Sequence, residues 1–409
     1  MRRNTSADSL RGLAIVLVVL GHSIVSVAWV YHAGPGLTLL SEGHWVSDSI
    51  AFNPLLNTVY AFHMPLFAFV SGLVSWRPKL SPALSQVRSR FLGLVVPYFM
   101  WVVVYYALTA RPFVAAGLLE GLRVAAANPW GGLWYLYALF ECYLLLILIQ
   151  RLPCARWIFA ATALTAVVMS ASKLGGSHFL GIGDVTYIYP FFIGGYLIAE
   201  KSGEFFSRRY LVAGISLAAF AVLLVARGPI WRPDMSWVAH AAKTTSAYLH
   251  RTWHIRRADQ IANIAGPVFV RYASSFAAII VLTALYSGWT GRLMDGQAWL
   301  GRRTLGIYAI HQILQVGLFA LGVTNWIAMF ALSLGISIGL TLVLERIPVV
   351  RGLLLGQWKK PAVRRGPDGP EDEFAAEGDV PPEPSDTTSP VQARAETILS
   401  GIAGVSCVR

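Results

Sequence analysis

Charged residues are scarce in this chain. Asp, Glu, Lys and Arg make up 13% of its 409 residues, whereas a soluble globular protein usually has about 25%. Together with an apolar fraction of 56%, this excludes an ordinary soluble domain and indicates an integral membrane protein. The net charge of +12 fits that class, because basic residues flank membrane helices on the cytoplasmic side. We therefore expect no nucleic acid as a partner.

The signatures of several enzyme classes are also missing. The chain has three cysteines, and none of them forms a CxxC pair or a metal-ligand spacing. There is no HExxH zinc motif, no GxSxG nucleophile motif, no Walker loop and no GxGxxG after a strand. We therefore expect no metal ion, no serine nucleophile and no phosphate-binding loop.

Apolar stretches of about 17–25 residues, long enough to cross a bilayer, run through most of the chain. We do not expect the first to be a removable signal peptide, because no A-x-A-like cleavage site follows it and further apolar stretches do. In the sixth, "FFIGGYLIAE", the glycines predict either close helix packing or a break. The stretches predict ten membrane helices, at about residues 10–31, 52–76, 91–110, 132–149, 156–172, 185–200, 210–227, 267–289, 304–322 and 325–344.

Basic residues between these stretches predict the orientation. With the N-terminus inside, the inside connections hold most of the lysines and arginines, while the short outside loops hold only Arg111, Arg123 and Lys173. The predicted fold class is an all-α integral protein of the cytoplasmic membrane with an N-in, C-in topology. We expect a membrane domain over residues 1–350 and a mostly disordered cytoplasmic tail over 351–409, which is rich in Pro, Glu and Asp.

Two polar side chains interrupt the first stretch, "SLRGLAIVLVVLGHSI". Arg11 and His22 are separated by three helical turns plus roughly 20°, so they share a helix face and lie about 16 Å apart. Each has an ordinary explanation. Arg11 at the cytoplasmic boundary can reach the headgroups, and His22 near mid-membrane can hydrogen-bond to a neighbouring helix.

Three more ionisable residues are predicted at the depth of His22. His63, Glu141 and His311 each fall about halfway along an apolar stretch. Independent structural roles would not require a common depth, so we interpret these residues as one site facing the bundle interior. A neutral imidazole is a common general base, and a carboxylate can orient it. The guanidinium of Arg11, near the cytoplasmic mouth, suits a phosphate-bearing ligand.

Six short motifs, of which the stretch with Arg11 and His22 is the first, occur in an order similar to that of the membrane acyltransferase-3 family. Arg11 and His22 match the family's opening pattern of an arginine, ten residues and a histidine. The whole pattern resembles most closely the branch described as fucose 4-O-acetylase-like, and the resemblance covers about residues 8–344. The motifs are "DSLRGLAIVLVVLGHS", "FHMPLFAFVSGLV", "FLGLVVPYFMW", "WYLYALF", "YPFFIGGYLI" and "LGRRTLGIYAIHQIL".

The resemblance implies transfer of an acyl group, usually acetyl from acetyl-CoA, to a hydroxyl of a sugar, surface glycan or glycolipid of the cell envelope. It carries over His22 as the essential histidine and Arg11 as its partner. His63, Glu141 and His311 lie within matching motifs, where they would orient His22 or stabilise the oxyanion. Membrane lipid is expected as a further partner, and the oligomeric state is left open.

In this hypothesis acyl-CoA enters from the cytoplasmic side beside Arg11, Arg88 and Arg90. Either His22 removes the proton of the attacking hydroxyl, or the acyl group passes through His22 first. A transporter of a glycan or lipid-linked substrate is the alternative, because midplane ionisable residues and a broken helix also occur in proton-coupled transporters. A membrane protein whose acyltransferase site has decayed is a third interpretation.

Overall fold

The described part of the chain is helical. The computed structural model describes residues 5–33, 53–76, 82–109, 115–129, 132–170, 179–199, 207–227 and 258–358, and no strand occurs in these ranges. The α-helices are α1 (Thr5–Ala33), α2 (Pro54–Leu73), α3 (Ala83–Arg90), α4 (Val96–Thr109), α5 (Ala115–Ala127), α6 (Trp134–Ile149), α7 (Ala155–Ser170), α8 (Ile182–Ala199), α9 (Arg209–Arg227), α10 (Ala258–Tyr286), α11 (Arg292–Gly301), α12 (Thr304–Ala320), α13 (Trp326–Arg346) and α14 (Pro348–Leu355). A π-helical turn, Phe91–Val95, joins α3 to α4, and a 3-10 turn, Phe179–Gly181, precedes α8.

Seven helical segments of the described residues are long and apolar enough to cross a membrane. Three further apolar helices, α6, α7 and α12, are shorter. These segments coincide with the ten apolar stretches of the sequence, so the protein is a multi-pass membrane protein. The number of crossings and their orientation stay predictions. The seven long segments are Thr5–Val27, Pro54–Leu73, Ala83–Leu108, Phe179–Ala199, Arg209–Arg227, Gly266–Tyr286 and Trp326–Arg346.

Large apolar side chains cover the outside of the bundle. On α9, Leu211, Val222 and Val225 are each more than half exposed. On α13, Ile327 and Val343 are exposed in the same way. Water would penalise such a surface, whereas lipid tails do not. The exposed faces of α9 and α13 therefore fit contact with lipid.

The sixth apolar stretch forms one continuous helix, α8, which packs closely on α2. A Cβ placed on Gly195 would lie 2.0 Å from the Phe69 carbonyl oxygen, and one on Gly72 would lie 1.8 Å from the carbonyl oxygen of Phe192. Only glycine allows two helix backbones to approach so closely. The prediction that the glycines permit close packing is confirmed, and α8 is not broken at them.

Replacing Gly195 with alanine is expected to destabilise the protein by about 1–3 kcal/mol, because the added methyl group forces α2 and α8 apart. Gly214 on α9 is the matched control, since a Cβ there meets nothing within 4 Å. Gly214→Ala is expected to be neutral or stabilising by up to about 1 kcal/mol, from helix propensity alone. Thermal denaturation of the two variants in detergent measures the difference, and equal midpoints would contradict this packing.

Besides α3, which leads into α4 through the π-helical turn, three helices occur outside the predicted membrane stretches. The first, α5, lies in a predicted outside loop and contacts α4, where the Tyr98 hydroxyl donates to the Ala125 carbonyl at 2.8 Å. The second, α11, packs on α1, where the Ser9 hydroxyl donates to the Met294 carbonyl at 2.8 Å. They are short and amphipathic, which is why a search for long apolar runs misses them.

The third of these helices, α14, packs against the segment that follows Arg90. The Trp101 indole N–H donates to the carbonyl of Leu354 at 2.8 Å, and the Trp358 indole N–H donates to the carbonyl of Leu92 at 2.9 Å. The helix continues to Leu355, past the domain boundary predicted at residue 350. The predicted tail from residue 359 onward lies outside the described residues.

Candidate active site

The centre of the candidate site is a pair of histidines from α1 and α12. His22 Nδ1 lies 2.8 Å from His311 Nε2, and the two rings are nearly parallel, with their centroids 5.1 Å apart. His311 is fully buried. The sequence predicted both residues as members of one site, and the structure brings them into direct contact.

Hydrogen bonds determine which nitrogen of each neutral ring carries the proton. His311 Nδ1 lies 3.1 Å from the carbonyl oxygen of Ile307, which can only accept, so Nδ1 carries the hydrogen. His311 Nε2 is then an acceptor, and His22 Nδ1 must donate to it. His22 Nε2 is left with a lone pair, which is the state a general base requires.

The third histidine, His63 on α2, joins this pair through Tyr60. The Tyr60 ring centroid is 6.3 Å from that of His22 and 4.7 Å from that of His63. His63 Nδ1 lies 2.9 Å from the carbonyl oxygen of Val59, so this nitrogen carries the hydrogen in the neutral ring. We call His22, Tyr60, His63 and His311 the histidine cluster.

A buried glutamine fixes α1 against α12 one turn beyond the histidine pair. The Gln315 amide nitrogen donates to the Ser23 hydroxyl at 3.0 Å, and the Ser26 hydroxyl donates to the Gln315 amide oxygen at 3.1 Å. The Gln312 amide nitrogen is 3.4 Å from His22 Nδ1. Both nitrogens are donors in the assigned tautomer, so this longer contact is not a hydrogen bond there.

Arg11, the predicted partner of His22, is paired with an acidic residue one turn before it. The guanidinium of Arg11 is 3.8 Å from the Asp8 carboxylate, and the two side chains are 26% and 7% exposed. An ion pair of this length is weak, and the planar guanidinium has five N–H donors. Arg11 therefore keeps donors for an anionic ligand.

The other predicted cofactor-binding residues lie at the end of α3. Arg88 is exposed, and the Arg90 guanidinium stacks 3.9 Å from the centroid of the Tyr143 ring. The π-helical turn that begins directly after Arg90 is of a kind frequent at functional sites. Within the described residues, no hydrogen bond or ion pair joins Arg88 or Arg90 to Arg11.

The described neighbours of Glu141 are not members of the histidine cluster. A Cβ placed on Gly181 would lie 3.5 Å from its carboxylate oxygen, and Asp184 is close enough for the two acidic groups to interact electrostatically. Among the described side chains, no hydrogen bond or ion pair joins Glu141 to the histidine cluster. Its proposed role of orienting His22 stays a prediction.

The family comparison decides the class of the membrane part. A sequence model described as an acyltransferase domain, that of the acyltransferase-3 family, matches residues 4–346. The chain belongs to the acyltransferase-3 family. The match runs from α1 through α13 and includes the whole histidine cluster.

Two curated relatives of this acyltransferase-3 family member are similar over part of their length. Nodulation protein NolL of Mesorhizobium japonicum is 27% identical over 230 residues, which are 54% of this chain and 56% of the relative. Nodulation protein NolL of Sinorhizobium fredii is 29% identical over 206 residues, 49% of this chain and 50% of the relative. The chain thus spans about half the length of the curated relatives it matches. No solved structure matches it.

Several polar residues of this acyltransferase-3 site were missed in the sequence, among them Tyr60, Gln315 and Asp8. Tyr60 lies three residues before His63, and Gln315 lies four residues after His311, so each shares a helix face with a predicted site residue. Asp8 stands in the same relation to Arg11. Polar residues at these spacings in an apolar helix are the signal that identifies such neighbours.

The arrangement supports proton transfer at His22 Nε2. Within the described part of the chain, no group of three His, Cys, Asp or Glu side chains is arranged to hold a metal ion. The buried His22–His311 hydrogen bond fixes the ring orientation of the proposed base, as an orienting partner does for a catalytic histidine.

Proposed function

We propose that the protein is a membrane-bound O-acyltransferase that moves an acyl group, most simply acetyl, from acyl-CoA to a sugar hydroxyl. The observation that carries the proposal is the hydrogen bond between His22 and His311, which leaves His22 Nε2 as a base. Membership of an acyltransferase family supports the reaction class. The sugar acceptor rests on the resemblance of the motifs to the fucose 4-O-acetylase-like branch.

In the proposed reaction His22 Nε2 takes the proton of the acceptor hydroxyl while its oxygen attacks the thioester carbonyl. The tetrahedral intermediate collapses as the carbon–sulfur bond breaks. The CoA thiolate then takes the proton from the imidazolium, which yields the sugar ester and free CoA. His311 acts as a positioning residue, because its Nε2 accepts the hydrogen bond that holds the His22 ring in place.

Arg11, Arg88 and Arg90 are proposed to bind the phosphates of acyl-CoA. A guanidinium binds phosphate oxygens with two parallel hydrogen bonds, and in the predicted orientation all three arginines lie toward the cytoplasm, where acyl-CoA is found. Arg11 shares a helix with His22, so a CoA held there would extend its acyl arm along α1 toward the base.

Arg11→Ala is expected to raise the KM for acetyl-CoA at least about tenfold, because one charge-assisted contact to phosphate is worth about 1.5–3 kcal/mol. The KM for acetyl-pantetheine, which lacks the nucleotide phosphates, should change little. Arg11→Lys should raise the KM for acetyl-CoA less than Arg11→Ala does, since lysine keeps the positive charge. Equal changes in KM for the two donors would contradict the phosphate-binding role.

Label transfer without a gradient separates an enzyme from a transporter. Purified protein in liposomes with equal solutions on both sides receives radiolabelled acetyl-CoA and methyl fucoside as the acceptor. The proposal predicts a base-labile ester of the fucoside. Accumulation of unmodified fucoside driven by a proton gradient, with no ester formed, would support the transporter instead.

A further inference from the structure

Two arginines lie near the histidine cluster, on helices the proposed mechanism does not use. Arg227 ends α9, and Arg271 lies within α10. Arg227 lies within electrostatic range of Arg271 and of the Tyr187 hydroxyl. The Arg271 guanidinium stacks 3.9 Å from the centroid of the Tyr187 ring. Tyr187 on α8 is therefore in contact with one of these cationic groups and within electrostatic range of the other.

These charges have no anionic partner in the described part of the chain. No ion pair joins Arg227 or Arg271 to an Asp or Glu there, and the Nη1 atom of Arg227 is buried with no hydrogen-bond partner among those residues. Two like charges in a medium of low dielectric constant repel each other, and a buried N–H without an acceptor costs further free energy. A bound anion would relieve both costs.

The arginine pair lies on the His63 side of the histidine cluster. The charge of Arg227 is close enough to His63 for the two groups to interact. One turn after Arg271, the Ser275 hydroxyl donates to the carbonyl of Ala61, two residues before His63. Nearby, the Tyr272 hydroxyl donates to the carbonyl of Thr186 at 3.0 Å, which holds α10 against α8. The position of the pair is thus set by three helices.

We infer that Arg227 and Arg271 form an anion-binding site for a phosphate or carboxylate group carried by the acyl acceptor. The inference rests on the proposed acyl transfer and names a property of the acceptor. In the predicted orientation these arginines lie toward the outer face, across the histidine cluster from Arg11. The donor phosphates and the acceptor anion would then approach His22 from opposite ends.

Ordinary explanations cover only part of this arrangement. A cation at the end of α9 is favoured by the helix dipole, which accounts for Arg227. A guanidinium stacked on an aromatic ring is a common contact, which accounts for Arg271. Neither explains why a second arginine approaches the first with no acidic residue beside it in the described structure.

The test uses three fucosides that differ only in the group on the anomeric oxygen: methyl, phosphate and carboxymethyl. Purified wild-type protein and its Arg227→Gln, Arg271→Gln and Arg271→Lys variants are given labelled acetyl-CoA. The measured quantity is kcat/KM for each anionic fucoside divided by that for the methyl fucoside. Arg123→Gln is the matched control, because Arg123 is 80% exposed on α5.

We expect the wild-type protein to prefer at least one anionic fucoside, and each Gln variant to lower that preference about tenfold. Arg271→Lys should lower it less, and Arg123→Gln should leave it unchanged. Preference for the phosphate or for the carboxymethyl compound identifies the anion, and either supports the site. A wild-type ratio near one, or an equal loss in the Arg123 variant, overturns the anion site while acyl transfer stands.

A second readout does not depend on catalysis. Inorganic pyrophosphate should raise the thermal midpoint of the wild-type and Arg123→Gln proteins more than that of the Arg227→Gln protein. If no fucoside is acetylated, the proposed acyl transfer fails and this comparison decides the anion site alone. Equal stabilisation of all three proteins by pyrophosphate would overturn it.

Discussion

Replacing His22 with alanine is expected to lower kcat for acyl transfer by about 10²–10⁴-fold, the range that a general base contributes. The loss follows from the hydrogen-bond pattern, in which His22 Nε2 is the nitrogen with a free lone pair beside His311. Initial rates with purified protein, labelled acetyl-CoA and methyl fucoside measure it.

The alanine variant also removes the hydrogen-bond donor to His311, so a second substitution separates folding from chemistry. His22→Asn keeps an N–H that can donate to His311 Nε2 but has no basic nitrogen. It should be as inactive as the alanine variant, with a thermal midpoint closer to that of the wild-type protein. Thr165→Ala, at an exposed position on α7, should keep full activity. An active His22→Asn protein would exclude His22 as the base.

Replacing His311 with leucine is expected to lower kcat about 10²-fold and to leave both KM values unchanged. His311 has no proposed contact with substrate. Its Nε2 accepts the hydrogen bond from His22 Nδ1–H and so fixes the orientation of the His22 ring. Without an acceptor, the His22 ring can rotate or exchange its proton between nitrogens. The split between kcat and KM distinguishes this positioning role from substrate binding.

A second substitution at His311, which restores a hydrogen-bond acceptor, also tests its positioning role. The amide oxygen of His311→Gln can accept from His22 Nδ1–H, so this variant should recover most of the rate that leucine loses. His311→Leu and His311→Gln both bury a neutral side chain of similar length, so a difference in rate between them does not come from a large difference in packing. Equal activity of the Leu and Gln variants would show that the hydrogen bond at His22 Nδ1 does not matter.

Hydropathy predicts the helices of this protein well, because a bilayer requires about 20 apolar residues for each crossing. Each predicted stretch has its helix, including α6 and α12, which are shorter than a full crossing. The same measure misses α5 and α11, since short amphipathic helices carry no long apolar run. Their positions depend on packing, as at Ser9 and Met294.

Depth in the membrane is a weaker guide to contact than it is to helix position. His22, His63 and His311 were predicted at one level, and the structure groups them. Glu141 was predicted at the same level, but its described neighbours are Gly181 and Asp184. Counting residues gives a height along a helix and leaves the tilt and rotation of that helix undetermined. Those depend on close contacts such as the Gly72 and Gly195 packing.

The pairing of His22 with His311 lies beyond what a single sequence can predict. The two residues are 289 positions apart, and nothing local to either indicates its partner. The same holds for Arg227 and Arg271, whose proximity arises from the packing of α9, α10 and α8. The residue types were visible in the sequence, but the geometry that gives them a chemical role was not.

The chain is proposed to transfer an acyl group from acyl-CoA to a sugar hydroxyl at His22. The most direct measurement is a single-turnover reaction in lipid nanodiscs with labelled acetyl-CoA and methyl fucoside, in which free CoA thiol and sugar ester are quantified together. Acyl transfer at His22 predicts equal amounts of thiol and ester for the wild-type protein and neither above background for His22→Ala. Thiol release without ester, or ester formation by His22→Ala at the wild-type rate, would contradict it.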